Sequence, residues 1–78
     1  MSGYIFKNPP GATAAGLIEL AGFKGVRVGQ VEVSGQHPNF FLAGPGAKSQ
    51  EVLDLMEQVR VGVRQRLGVV LEPQIEVW

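Results

Sequence analysis

Between Ser49 and Gly68 the apolar residues Val52, Met56, Val59, Val63 and Leu67 recur at spacings of four, three, four and four. That is the period of one face of an α-helix. Leu53 and Leu55 widen the stripe, while Gln58, Arg60, Arg64 and Gln65 take the wet side. Ser49 is placed to cap the start, and Glu51 in the first turn suits the positive end of the helix dipole. Gly68 suits the left-handed position that closes a helix. A helix of this length spans about 30 Å. In a chain of 78 residues, everything else must be arranged to cover its apolar face. Gly62 sits inside the stripe at a cost of about 1 kcal/mol against alanine, so a neighbour is expected to approach closely there.

The remainder offers short elements. Tyr4-Ile5-Phe6 is a β-prone run that Pro9-Pro10-Gly11 stops. Thr13 is a plausible N-cap for a short helix over Ala14 to Ala21, with Leu17, Ile18 and Ala21 inward and Gly22 left-handed after it. Val26 and Val28 alternate, and so do Val31 and Val33, but the parity changes across Gly29-Gln30. A straight strand would put the two pairs on opposite faces, so a bulge or tight turn is expected between them. Ser34 to Pro38 reads as a loop, Phe40-Phe41-Leu42 as a short buried strand, and Ala43 to Ala47 as connection. Val69 to Leu71 and an alternating strand over Gln74 to Trp78 close the chain. The order predicts an α+β fold, a small sheet packed against one short and one long helix, in a single domain over residues 1–78.

Composition narrows the function classes. Seven basic residues balance seven acidic ones, which argues against a nucleic-acid binder needing a basic field. No apolar run is long enough to span a bilayer, and Met1-Ser2-Gly3 does not open a signal peptide. With no cysteine and one histidine, disulfides are excluded and a metal centre is disfavoured. A cytoplasmic location is expected, and the chain has no room to add a domain that binds a nucleotide cofactor.

Five segments in order resemble the third domain of the UDP-N-acetylenolpyruvoylglucosamine reductases, flavoenzymes also called UDP-N-acetylmuramate dehydrogenases. The opening motif is Gly3-Tyr4-Ile5-Phe6-Lys7-Asn8-Pro9, followed by the helix Ala14-Ala15-Gly16-Leu17-Ile18-Glu19. Next comes Gly22-Phe23-Lys24-Gly25-Val26-Arg27-Val28-Gly29, with phenylalanine where the family has leucine. Val33-Ser34-Gly35-Gln36-His37-Pro38-Asn39-Phe40 and Gly68-Val69-Val70-Leu71-Glu72-Pro73 complete the match. The resemblance implies a substrate-binding domain of an enzyme that reduces the enolpyruvyl ether of a UDP-sugar. Hydride passes from NADPH to FAD and then to substrate, with the flavin held by two other domains.

The resemblance also implies site residues. In the family a serine in the opening motif delivers a proton and a glutamate in the last strand assists; here those positions are Tyr4 and Gln74. Gln74 has no titratable proton, and a phenol such as that of Tyr4 ordinarily gives up its proton only near pH ~10. Glu76, two residues on, falls on the same face of the expected strand and is the candidate to replace it. Asn8, Lys24, Arg27 and His37 match positions near the nucleotide and its diphosphate. Three have a plain structural reading beside the functional one: Asn8 as a turn residue, Lys24 as a solvated lysine, His37 as a backbone partner.

Two function classes follow. One is a UDP-sugar substrate-binding domain that is not an enzyme alone, binds neither FAD nor NADPH itself, and works beside separate flavin-binding domains. The alternative is a non-catalytic relative serving as a UDP-sugar sensor or a protein-interaction module that associates with itself.

Overall fold

The elements run α1 (Ala14–Leu20), β1 (Arg27–Val28), β2 (Val31–Val33), β3 (Phe41–Ala43) and α2 (Ser49–Leu67) in a computed structural model whose described residues are 5–74. The strands form one antiparallel sheet in chain order, with Val28 opposite Val31 and Val33 opposite Phe41. This is the expected α+β arrangement of a small sheet with one short and one long helix. Tyr4, Glu76, Trp78 and nearly all of the anticipated closing strand lie outside the described residues.

The parity change resolves as a two-residue hairpin turn. Gly29 and Gln30 reverse the chain between β1 and β2, which returns Val28 and Val31 to the same face. Gly29 has φ of +57° at the first central position, the sign a type II′ turn asks for. A side chain there would also meet the Glu51 carboxylate, since an added Cβ would lie 1.9 Å from its Oε2. That carboxylate accepts the Lys48 N–H at 3.0 Å and the Gln30 N–H at 3.4 Å. Glu51 thus joins the hairpin turn to the start of α2. Ser49 is the first helical residue, and Lys48 holds the cap position.

Thr13 caps α1, its Oγ1 accepting the Gly16 N–H at 3.1 Å. The helix ends one residue earlier than expected, with Ala21 as its C-cap and Gly22 left-handed at φ +84°. α2 ends on Gly68 in the left-handed region, as anticipated.

α2 contacts β1, β2 and α1. Its buried face carries Leu55, Met56, Val59, Gly62 and Val63. The Leu55, Met56, Val59 and Val63 side chains join Ile5, Phe6, Ile18, Val31, Val33, Phe41 and Leu71 in one core. Full burial of one such large apolar side chain contributes about 1.5–3 kcal/mol. Two stripe members fall outside it. Leu53 is 41% exposed and Leu67 36%, because they stand about 120° and 80° around the helix from Val59. Phe41 is buried, but the next residue on β3, Leu42, points outward and is half exposed, as strand alternation requires. Phe23 covers Gly62 so closely that a Cβ there would lie 2.0 Å from the ring.

The first and last described segments meet. Ile5 C=O accepts the Gln74 N–H at 2.8 Å, and Lys7 N–H donates to Glu72 C=O at 2.9 Å. Phe6 and Pro73 pair between them as a single antiparallel bridge. Among the described residues no helix is long and apolar enough to cross a membrane.

Candidate functional site

The opening motif is held on two sides. The closing segment binds Ile5 and Lys7 on one, and Asn39 binds Ile5 and Phe6 on the other. Asn39 C=O accepts the Ile5 N–H at 2.9 Å. Its side-chain Oδ1 accepts the Phe6 N–H and its Nδ2 donates to the Phe6 C=O, both at 2.9 Å. In the sequence Asn39 reads only as the residue leading into a strand. The signal that could have singled it out is one amide set between Pro38 and the Phe40-Phe41-Leu42 run, where burial demands a polar partner.

Beyond Phe6 the motif turns outward. Asn8 is exposed, and its Oδ1 accepts the Ala14 N–H at 2.9 Å. Asn8 and Thr13 therefore accept two N–H groups at the start of α1. A shallow cleft beside this turn is lined by Lys7, Asn8, Pro9, Pro10, Val70 and Glu72. Val70 is 59% exposed there.

His37 belongs to a different cleft, on the β2–β3 connection, lined with Gln36, Phe40 and Leu42 among others. The loop is shaped by Ser34, whose Oγ accepts the Gln36 and His37 N–H groups at 3.2 and 3.1 Å. The His37 ring stands edge-on to Phe40, 5.9 Å between centroids. Lys24 reaches Glu19 at 3.8 Å, with both side chains well exposed. Arg27 meets Glu32 at 3.3 Å, directly across β1 and β2. Neither Lys24 nor Arg27 lines the Asn8 cleft or the His37 cleft. The fold therefore does not gather the four anticipated contact residues into one concavity. Gln74 is exposed at the end of the closing segment, and its partner position, Tyr4, lies outside the described residues.

A dinucleotide cofactor would need a cradle for its pyrophosphate, most often a helix N-terminus with open N–H groups. Here side chains already accept N–H groups at both starts. Asn8 and Thr13 fill α1, and at α2 the occupant is the Glu51 carboxylate, whose charge repels phosphate. Neither helix start among the described residues is an open cradle for a pyrophosphate. Among them, no group of three or more metal-ligating side chains is gathered.

A three-stranded sheet backed by one long helix, with the anticipated polar groups spread over separate surfaces, defines a small α+β module whose described residues gather no single enclosed site. The chain belongs to the C-terminal domain family of UDP-N-acetylenolpyruvoylglucosamine reductase, whose family model matches residues 1–78. It is 52% identical over 75 residues to the UDP-N-acetylenolpyruvoylglucosamine reductase of Rubrobacter xylanophilus, covering 96% of this chain and 25% of that protein. Identity to UDP-N-acetylenolpyruvoylglucosamine reductase 2 of Symbiobacterium thermophilum is 48% over 77 residues, covering 99% of this chain and 25% of that protein. The crystal structure of UDP-N-acetylenolpyruvylglucosamine reductase (MurB) from Thermus caldophilus superimposes with a TM-score of 0.80 at 41% identity. It covers 97% of this chain and 26% of the Thermus chain. The chain thus spans about a quarter of the length of these relatives.

Proposed function

We propose that this domain is the UDP-sugar-facing part of a peptidoglycan-precursor reductase, one converting UDP-N-acetylglucosamine-enolpyruvate to UDP-N-acetylmuramate, and that alone it is not an enzyme. The observation that carries this reading is the full-length match to the C-terminal domain of such reductases, at 41–52% identity in the relatives described above. The reading rests on that match and not on a preformed pocket. Asn8, Lys24, Arg27 and His37 do not converge on one cleft, so other domains must supply the opposite walls before they act on one ligand.

Both helix starts are occupied, so a diphosphate on this domain is met by cations. Lys24 and Arg27 are exposed, and among the described residues Glu19 and Glu32 compete for them. The Asn8 Nδ2 and the His37 ring supply directional hydrogen bonds. Gln74, at the family's assisting position, cannot deliver a proton, since its carboxamide has none to give at neutral pH. The flavin and nicotinamide, and the hydride they carry, belong to the remaining domains of the family's full-length enzyme.

The test is an amide NMR titration of the full chain with UDP-N-acetylglucosamine. Shifts at Asn8, Lys24 and His37 with a Kd in the range of about 0.01–1 mM are expected for so few contacts. Unmoved resonances at millimolar ligand would remove the binding role. The purified chain should also be colourless and show no NADPH oxidation with added FAD and enolpyruvyl substrate; measurable turnover would overturn its non-enzymatic assignment.

A further inference from the structure

The two polar main-chain groups of Phe6 are satisfied by one side chain. Asn39 accepts from the Phe6 N–H and donates to the Phe6 C=O, 33 residues away in sequence. Asn39 is 2% exposed and Phe6 1%, so water cannot replace either bond. A carboxamide carries one acceptor and two donors on a rigid plane, and here it does what a neighbouring strand would do. The closing segment grips the same stretch from its other edge through Ile5 and Lys7. A slip of the motif by one residue would break both Asn39 bonds and bury unpaired groups.

We propose that Asn39 is a positioning residue. It touches no ligand; it sets the register of the opening motif against the closing segment, and so the relative places of Lys7, Asn8 and Gln74. This rests on the reading that these segments face a UDP-sugar. Asparagine is required by the chemistry. Aspartate keeps the acceptor for the Phe6 N–H but turns a second oxygen toward the Phe6 C=O, and serine is too short to reach both groups.

The test is amide hydrogen exchange by NMR on the full chain, wild type beside Asn39→Asp and Asn39→Ser. Protection at Phe6, Lys7 and Gln74 should fall about 100-fold more than at Val59 and Val63, the order expected for one buried group left unpaired. In the aspartate variant this excess should shrink when the pH is lowered to protonate the carboxyl, which then donates to the Phe6 C=O. An equal loss at all five amides would reduce Asn39 to general stability, and no loss at Phe6 would deny the clamp. If neither variant folds, the wild type decides. Phe6 and Gln74 should exchange as slowly as Val59, and exchange as fast as an exposed loop refutes the proposal. A UDP-sugar titration separates the two readings. Absent shifts in the wild type remove the function and leave the exchange result standing. Shifts seen in the wild type should vanish in a folded Asn39 variant, and shifts that persist there would overturn the positioning role.

Discussion

Replacing Gly62 by alanine should destabilise this domain, although the same change in most exposed helix interiors gains about 1 kcal/mol. The reason is the Phe23 ring. A methyl at position 62 would stand 2.0 Å from Phe23 Cζ and 2.2 Å from Cε2, against 3.4–4 Å for an ordinary contact. The ring must move, and it is held. Its edge packs against the core, and the Arg66 guanidinium lies over its face, 5.1 Å from the centroid. Arg66 also donates to the Ala21 C=O, which ties α2 to the end of α1. Overpacking costs about 1–3 kcal/mol, and loosening the Arg66–Phe23 stack about 0.5–1 kcal/mol. Set against the propensity gain, the net loss is about 0.5–3 kcal/mol. Phe23→Leu alone should lose about 1–2 kcal/mol from a half-buried site. Together the two changes relieve each other, because the shorter side chain vacates the space that the methyl needs. Urea unfolding followed by circular dichroism should give a coupling of about 1–2 kcal/mol between them. In a domain of this size each 1 kcal/mol moves the melting midpoint by about 4–8 °C, so the cycle is also readable by heat. A Gly62→Ala protein more stable than wild type, or a strictly additive double variant, would refute the close approach.

Three further outcomes follow from the same structure. Gly29→Ala must adopt φ near +57° and push away the Glu51 carboxylate, so a loss of about 2–3 kcal/mol is expected in urea unfolding; a change below about 0.5 kcal/mol would be inconsistent with the Glu51 bridge. Asn8→Ala leaves the Ala14 N–H without its acceptor and should cost about 1 kcal/mol, while Asn8→Asp, which keeps the oxygen, should cost less; equal losses in thermal melts would count against the cap. The Glu57 carboxyl lies below its usual 4.5 because Arg60 hydrogen-bonds it. A depressed carboxylate pKa stabilises the fold above the unfolded value, and that stability disappears as pH falls through the lowered one. Glu57→Gln should therefore flatten the decline of the melting midpoint below about pH 4.5; an unchanged acid limb would mean the exposed pair contributes nothing.

The parts of the fold legible beforehand were those written in local period. The α2 stripe, Thr13 as cap, Gly22 and Gly68 as left-handed stops, and the reversal at Gly29-Gln30 depend on neighbours within a few residues. Where the pattern misled, the deciding partner was distant or the geometry finer than the pattern. Leu53 is as apolar as Leu55, and only its angle around the helix separates wet from dry. Lys48 takes the cap position in place of Ser49, with the Glu51 carboxylate accepting its N–H. Asn39 could not be recognised as a clamp, because its partner is 33 residues upstream. The candidate site shows the same limit. Motif order named Asn8, Lys24, Arg27 and His37, but order along a chain does not say which surface each occupies, and the fold does not bring them together.

The pairing of Ile5 with Gln74 and of Lys7 with Glu72 has a mechanical meaning. Ile5 and Gln74, the first and last described residues, sit side by side at one corner, like the two tabs of a zip fastener. Tension applied through them loads one bond at a time, beginning with Ile5–Gln74, instead of shearing several together. Under strain such a domain yields first at that corner, and the yielding draws Ile5 and Phe6, the stretch that Asn39 holds from behind, out of the core they share with α2.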